Sequence, residues 1–247
     1  MMMSMITRVL ALTTLLARTN HQVQAFTPTL RQAIRKSSVI QGSFNHQFSR
    51  KPSSTVVRMS SASSEVKKRV LVPIAEDSEE IETASITDVL TRFGAEVVVA
   101  SVESDGKLVV KMSRGLKICA DITIEDAAKE EFDCIALPGG MPGANYLRDS
   151  APLIEMLKKQ QDKNKLYGAM CASPAVVLQT HGLLVGSGAT CYPAPPFRKT
   201  MEDPSDDKVV VQDNVVTSQG PGTSLLFALS LGEHMVSHFW YLVLYCS

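Results

Sequence analysis

Residues 166–178 read LYGAMCASPAVVL, and this stretch decides the fold. Its first five residues are mostly apolar, and after a single cysteine the chain enters a helical pattern that begins near Pro174. In open α/β sheets, ligands bind beyond the carboxyl ends of the strands, where the next helix begins. The stretch therefore predicts that Cys171 lies at such a strand end, beside the amino terminus of a helix.

The same alternation of strand and helix runs through most of the chain. The pattern predicts strands at 69–74, 95–101, 132–137 and 166–170, helices at 79–93, 124–131, 153–163, 173–179 and 223–235, short antiparallel strands within 109–119, and a hairpin turn at 212–214 inside 209–216. Such alternation favours an α/β fold, with a mainly parallel sheet and helices on both faces. About 180 residues are enough for one domain with a good core, which we place at 65–247.

Composition excludes several classes of protein. The 247 residues are 45% hydrophobic and 20% charged, as in ordinary globular proteins. The five cysteines are irregularly spaced without a CxxC pair, which argues against a zinc site or a secreted disulfide framework. All 25 acidic but only 17 of the 25 basic residues lie in 65–247, a net charge of −8. Because such a domain repels phosphates, we expect no nucleic acid partner.

The first 64 residues have the composition of a targeting sequence. They hold eight basic residues, 18 Ser or Thr and no acidic residue. Residues 9–17, VLALTTLLA, have the length of a signal-peptide apolar region, and a cleavage-site pattern ends at Ala25. The run is too short for a bilayer, which needs about 20 apolar residues, so we expect no membrane segment in the mature form.

A second targeting signal follows the first. The stretch after Phe26 is rich in Ser and Arg, which is typical of a transit peptide. The two signals in series resemble the bipartite presequences of algal plastids that lie within the endomembrane system. We therefore expect 1–64 to be a disordered presequence for plastid import, with the mitochondrion as the alternative.

Cys171 is the candidate nucleophile. The amino terminus of a helix carries partial positive charge and unpaired N–H groups, and both favour a thiolate, so the position predicts an ionised, reactive cysteine. The alternative is a small hydrophobic residue buried at a strand end, as most free cysteines are. The local pattern leaves both open.

The turn Pro138-Gly139-Gly140 ends another predicted strand. Glycines at a strand end allow backbone N–H groups to face a neighbouring site without obstruction by a Cβ atom. Two such donors near a nucleophile form an oxyanion hole. The alternative is a plain turn between strand and helix.

Three acidic residues, Glu79, Glu80 and Glu82, open the first predicted helix. Acids in a first turn can simply complement the helix dipole. If one of them points at Cys171, two adjacent anions are unfavourable, and the carboxyl tends to keep its proton and donate a hydrogen bond to the thiolate. Such a pair is an acid–base device.

Four motifs together carry a resemblance to a known family: AEDSEEIET at 75–83, LPGGMPGANYL at 137–147, GAMCASPAVVL at 168–178 and SQGPGTSLLFAL at 218–229. In this order and spacing, over about 67–233, the chain is similar to the DJ-one/ThiJ/PfpI superfamily, and within it to the DJ-one and bacterial YajL-like branch. The resemblance implies a flavodoxin-like α/β sandwich, like that of class I glutamine amidotransferases. It also implies a homodimer and no metal or organic cofactor.

The resemblance also assigns the site. By it, Cys171 is the reactive cysteine, Glu82 the glutamate that hydrogen-bonds it, Gly139 and Gly140 the oxyanion-side glycines, and the backbone of Ala172 a further donor. It implies a glutathione-independent glyoxalase or protein deglycase that acts on methylglyoxal and glyoxal, or on their adducts with proteins. The alternative that it implies is an oxidative-stress sensor or redox-regulated chaperone that works through oxidation of Cys171.

Three positions depart from the family pattern. Ala172 stands where protease-like relatives have a histidine, which argues against peptide hydrolysis. Tyr192 stands where the animal branch has a histidine near the pocket, so that histidine's role does not transfer. The tail 234–247, HMVSHFWYLVLYCS, is apolar almost throughout, whereas the family continues with an amphipathic helix.

Overall fold

The computed structural model describes residues 67–184, 186 and 188–235. The expected presequence at 1–64 lies outside the described residues, and so does the atypical tail beyond residue 235; both stay predictions. Among the described helices, none has the length and apolar character needed to cross a membrane.

A seven-stranded sheet forms the centre of the domain. Its strands are β1 (Arg69–Ile74), β2 (Glu96–Ser101), β5 (Ile122–Thr123), β6 (Cys134–Leu137), β7 (Leu166–Met170), β8 (Val209–Gln212) and β9 (Val215–Ser218), and a separate antiparallel hairpin consists of β3 (Val109–Lys111) and β4 (Lys117–Cys119). The order in the sheet is β5-β2-β1-β6-β7-β9-β8, and every neighbouring pair is parallel except β8 and β9. The carboxyl ends of β1, β6 and β7 therefore meet at one edge.

Helices cover both faces of this sheet. They are α1 (Glu80–Arg92), α2 (Ile124–Ala127), α3 (Gly143–Asp149), α4 (Ala151–Asp162), α5 (Pro195–Arg198) and α6 (Ser224–Met235), with a π-helix at Pro174–Gln179 and a 3₁₀ turn at Pro221–Thr223. Alternate strand residues serve the two layers: Leu71 and Ile135 pack with α4 on one face, whereas Val70 and Val72 pack with α1 and α6 on the other. The predicted α/β fold with a mainly parallel sheet is confirmed.

Several element bounds differ from the sequence expectation. The short acidic helix ends at Ala127 rather than near residue 131, and the helix after Cys171 is a π-helix. The pattern missed α3 and α5, because each begins among Pro and Gly residues that favour turns. Gly143 is the first residue of α3. A larger residue does not fit at this position, because a Cβ there would lie 2.6 Å from the backbone nitrogen of Ser78.

Candidate active site

Cys171 directly follows β7, on the tight turn 170–173 that we call the elbow. Its φ is +61°, in the left-handed region that non-glycine residues rarely adopt. Two neighbouring segments hold this conformation: the Cys171 N–H donates to the carbonyl of Ser218 at 3.0 Å, and its own carbonyl accepts from the N–H of Tyr192 at 2.7 Å. A strained residue fixed from two sides is typical of functional sites. The elbow therefore holds the thiol at the carboxyl edge of the sheet.

Glu82 is the acidic partner of this thiol. It lies in the first turn of α1 and is fully buried. Its Oε2 accepts a 2.6 Å hydrogen bond from the backbone N–H of Gly139, and its carboxyl hydrogen-bonds the side chain of Cys171. The other oxygen, Oε1, is buried and has no nitrogen or oxygen partner in the described part of the chain. A proton on Oε1 would satisfy that atom.

Burial governs the titration of both groups. Desolvation raises the pKa of Glu82 to about 7, although the N–H of Gly139 and the bond with Cys171 oppose the shift. Desolvation, and then the negative charge of Glu82, raise the pKa of the Cys171 thiol to about 12, against the N–H groups of Gly140 and Ala172. The two groups thus share one ionisation near neutral pH. Desolvation of the partly buried sulfur therefore opposes the free thiolate that the position of Cys171 at a helix start predicts.

The two glycines of the β6 turn serve different partners. The N–H of Gly140, like that of Ala172, is directed at the sulfur of Cys171, as the sequence analysis expected. The N–H of Gly139 instead donates to Glu82, so it is not a free oxyanion donor. Gly139 must be glycine for a steric reason as well, since a Cβ there would lie 2.5 Å from the Cβ of Cys171.

The other two glutamates of the cluster have structural partners. Glu79 is the N-cap of α1, and its carboxylate accepts from the backbone N–H of Glu82 at 2.8 Å. Glu80 accepts from the hydroxyl of Ser113 at 2.8 Å and from the N–H of Arg114 at 2.7 Å, which ties the β3–β4 hairpin to the start of α1. Only Glu82 of the three points inward at the cysteine.

A cavity of about 280 Å³ opens above the elbow. It is lined by Glu79, Ser113, Arg114, Gly140, Met141, Cys171, Ala172, Tyr192, Phe197 and Pro221. The rings of Tyr192 and Phe197 meet edge to face, with their centroids 5.9 Å apart, and form an aromatic wall; Arg114 also lines the cavity. In the described ranges no cluster of three His, Cys, Asp or Glu residues is arranged to hold a metal ion.

Comparison with known proteins identifies the family of the chain. Residues 68–234 match the DJ-1/PfpI family. The chain belongs to this family. A DJ-1 homolog B from Arabidopsis thaliana is 48% identical over 165 residues, which cover 67% of this chain but only 37% of that longer protein.

Two further members of the DJ-1/PfpI family are informative. A Caenorhabditis elegans protein named glutathione-independent glyoxalase DJR-1.2 is 39% identical over 166 residues, 66% of this chain and 86% of its own length. The solved structure of Toxoplasma gondii DJ-1 in an oxidized state is 52% identical, with a TM-score of 0.65, and covers 68% of this chain and 90% of that one.

In this DJ-1/PfpI chain the residues that the sequence assigned to the site lie close together, whereas part of the cavity wall was not predicted. The structure places Cys171, Glu82, Gly140 and Ala172 close together. The N–H of Gly139 donates to Glu82 and not to the thiol. The resemblance had placed Tyr192 near the pocket, but Phe197 was missed, because the prolines before it, at 193, 195 and 196, are typical of a loop. An aromatic residue after such a stretch was the available signal.

Proposed function

We propose that this protein is a cysteine-dependent, glutathione-independent glyoxalase that acts on methylglyoxal and glyoxal, or on their adducts with proteins. The observation that carries the proposal is the buried Glu82 carboxyl hydrogen-bonded to the thiol of Cys171, a residue that lines a cavity. The C. elegans relative named as a glyoxalase supports the same activity.

The first step is addition of sulfur to the aldehyde carbon. Glu82, whose pKa burial raises to about 7, is partly ionised at neutral pH and accepts the thiol proton as the S–C bond forms. The N–H groups of Gly140 and Ala172, which contact the sulfur in the free protein, lie where they stabilise the alkoxide that develops on the aldehyde oxygen. Glu82 then passes the proton to that oxygen, which completes the hemithioacetal and leaves Glu82 ionised.

The second step moves a proton between the two carbons of the dicarbonyl. Glu82 takes the proton of the former aldehyde carbon, which leaves an enediolate. Glu82 then returns this proton to the neighbouring carbon while the hydroxyl proton passes from the first oxygen to the second, which gives a 2-hydroxy thioester on Cys171. Water then hydrolyses the thioester, which frees the thiol and releases lactate from methylglyoxal or glycolate from glyoxal. The electrons rearrange within the substrate and one water is consumed, so no redox cofactor is required.

The experiment is a methylglyoxal consumption assay without glutathione. The purified chain is expected to convert methylglyoxal to lactate, and Cys171→Ser is expected to lose about 10³-fold or more in kcat/KM, because the oxygen is a poorer nucleophile than sulfur. Cys134→Ser, which changes a cysteine buried at the other end of the sheet, is the matched control. A Cys171→Ser variant as active as the parent would remove the proposal.

A second candidate function is oxidative-stress sensing or redox-regulated chaperone activity through Cys171. The oxidized state of the T. gondii relative favours it. Two N–H donors and a protonated Glu82 would stabilise a sulfinate on Cys171. After mild peroxide treatment, mass spectrometry should find two added oxygens on Cys171 and few on the exposed Cys119. Equal oxidation of both would contradict this function.

We also propose a homodimer in the plastid. Exposed apolar side chains on the packed helices α1 and α6, such as Ile81 and Leu225, support a second copy as the partner, and light scattering of the purified protein tests it.

The composition of 1–64 supports import into the plastid, with the mitochondrion as the alternative. A fluorescent fusion of 1–64 that stays in the cytosol would reject both compartments.

A further inference from the structure

Ser173 lies two residues after Cys171 and is fully buried. It occupies the N-cap position of the π-helix Pro174–Gln179, where a serine hydroxyl usually accepts from the N–H groups of its own helix. Here it makes no capping bond, and its Oγ donates instead to the carbonyl of Pro138 at 2.5 Å. The hydroxyl therefore bridges from the elbow to the neighbouring β6 turn.

The peptide group that accepts this bond also serves Glu82. The carbonyl of Pro138 accepts from Ser173, and the N–H of the same peptide group, on Gly139, donates to Oε2 of Glu82 at 2.6 Å. Hydrogen bonds in such a chain polarise one another, so a donor on the peptide oxygen makes the peptide N–H a stronger donor. Hydroxyl, peptide and carboxylate thus form one continuous chain.

We propose that Ser173 is a positioning residue, whose hydroxyl fixes the Pro138–Gly139 peptide and strengthens the N–H that Gly139 donates to Glu82. This chain acts on the pair formed by Glu82 and Cys171, on which the proposed function also rests. It does not depend on which substrate the pair attacks.

The N–H of Gly139 is the main group that stabilises the carboxylate form of Glu82. The titratable groups that act on Glu82 from the described elements are Glu79 at the start of α1 and Cys171 on the elbow. Glu79 adds negative charge, and Gly139 supplies the strongest bond that favours the carboxylate. A weaker N–H would stabilise the carboxylate less, so the shared ionisation would move to higher pH and Cys171 would react more slowly at neutral pH.

The experiment measures alkylation of Cys171 by iodoacetamide in the full chain, read by mass spectrometry of the Cys171 peptide across the range of about pH 5 to 10. In Ser173→Ala we expect the apparent pKa of this reaction to rise by about half to one unit from its value of about 7, so that the rate at pH 7 falls roughly 2- to 5-fold. Ser173→Thr, which keeps a hydroxyl, is expected to restore the parent profile.

The matched control is Ser224→Ala. Ser224 is also a buried serine whose Oγ donates to a proline carbonyl, that of Pro221 at 2.9 Å, but it has no bond to the Glu82 chain. Its alkylation profile should match that of the parent. A Ser173→Ala profile that matches the parent, or that shifts only as far as Ser224→Ala, would overturn the proposal, because a purely structural serine changes stability and leaves the apparent pKa in place.

A double variant tests the route of the effect. In a Glu82→Gln background, Ser173→Ala should leave the alkylation profile unchanged, since the group it acts on no longer titrates; a persisting shift would contradict the proposal. Should Ser173→Ala fail to fold, Ser173→Gly removes the same hydroxyl, and the amide proton of Gly139 gives an independent reading in the folded parent. That resonance should titrate with the apparent pKa of alkylation, and a resonance that does not respond to pH would overturn the chain.

The outcome separates this proposal from the function above. A shifted alkylation profile in a protein that consumes no methylglyoxal would leave the role of Ser173 standing and reject the glyoxalase. Methylglyoxal turnover with an unshifted profile would do the reverse.

Discussion

The two ends of the central sheet hold a glutamate in opposite ways. At the amino end, Glu131 lies in solvent between the amines of Lys163 and Lys165, at 2.7 and 2.8 Å, and these bonds lower its pKa to about 2. At the carboxyl end, Glu82 is buried without an ion pair to any described residue, and its pKa rises to about 7. Position in the fold, rather than residue type, decides which glutamate is a permanent charge and which carries a proton.

The cysteines of the same two ends repeat the contrast. Cys134 begins β6 and is completely buried, and burial raises the pKa of its thiol far above the ordinary value, with Asp133 adding to the shift. Cys171 follows β7, opens to a cavity and touches a titrating carboxyl and two N–H donors. Complete burial makes the thiol of Cys134 inert, whereas a neighbouring base and access to a cavity make the partly buried thiol of Cys171 usable.

Removal of the proton carrier should have the largest effect. Glu82→Gln keeps an oxygen for the N–H of Gly139 but cannot accept the thiol proton, so kcat for methylglyoxal is expected to fall about 10²- to 10⁴-fold. The control is Glu80→Gln, two residues earlier, whose bonds go to the β3–β4 hairpin rather than to the thiol. A loss in Glu80→Gln as large as that in Glu82→Gln would show that the helix start, and not the proton carrier, matters.

The burial of Glu82, which is one side of this contrast, could be predicted from the sequence. Glu82 stands four, seven and eight positions before Ile86, Val89 and Leu90, so helical spacing alone places it on the buried face of α1. Local pattern does not reveal that the N–H of Gly139 goes to this carboxyl while that of Gly140 goes to the sulfur. Both glycines stand at the same strand end, and their division depends on how α1 docks beside the elbow.

The desolvation that opposes a resting thiolate on Cys171 is likewise hidden from local pattern. The sequence pattern predicts a helix start after Cys171, but how deeply its sulfur is buried depends on the tertiary structure. The sulfur is closed in by the β6 turn, the elbow and Gly220, where a Cβ would lie 3.9 Å from it. Desolvation by these segments outweighs the local donors.

The pH dependence of activity is the next effect in size. The reactive form is the pair with one proton removed, and the pKa of Glu82 places that ionisation at about 7. We expect kcat/KM for methylglyoxal to rise about tenfold per pH unit on the acid side and to level off above the pKa of Glu82. A profile that instead rises only through the range of an ordinary free thiol, at about pH 8.5, would contradict the role of Glu82.

The raised pKa of Glu82 also means that the folded protein loses stability as this carboxyl ionises. The carboxyl has an ordinary value of 4.5 and a folded value of about 7, so the folded chain binds more protons between these limits and its free energy of unfolding falls as pH rises through them. Above pH 7 the buried charge costs about 3 kcal/mol at most. Glu82→Gln should therefore raise the free energy of unfolding by about 1–3 kcal/mol at alkaline pH and leave it unchanged at acid pH, in urea titrations. A Glu82→Gln protein less stable than the parent at alkaline pH would contradict the assignment of a buried charge.

Glu131→Gln should change stability the least of these variants, and it should lower stability where Glu82→Gln raises it. The folded pKa of Glu131, about 2, lies below its ordinary value of 4.5, so its contribution to stability is present above 4.5 and is lost as pH falls towards 2. The variant should thus lower the thermal midpoint slightly at neutral pH, converge with the parent at acid pH, and leave methylglyoxal turnover unchanged. Because both lysines and the glutamate are accessible to solvent, high salt should remove the difference at neutral pH, whereas the Glu82 effect should persist. If salt instead abolished the Glu82→Gln effect and spared that of Glu131→Gln, the contrast between the two ends of the sheet would be wrong.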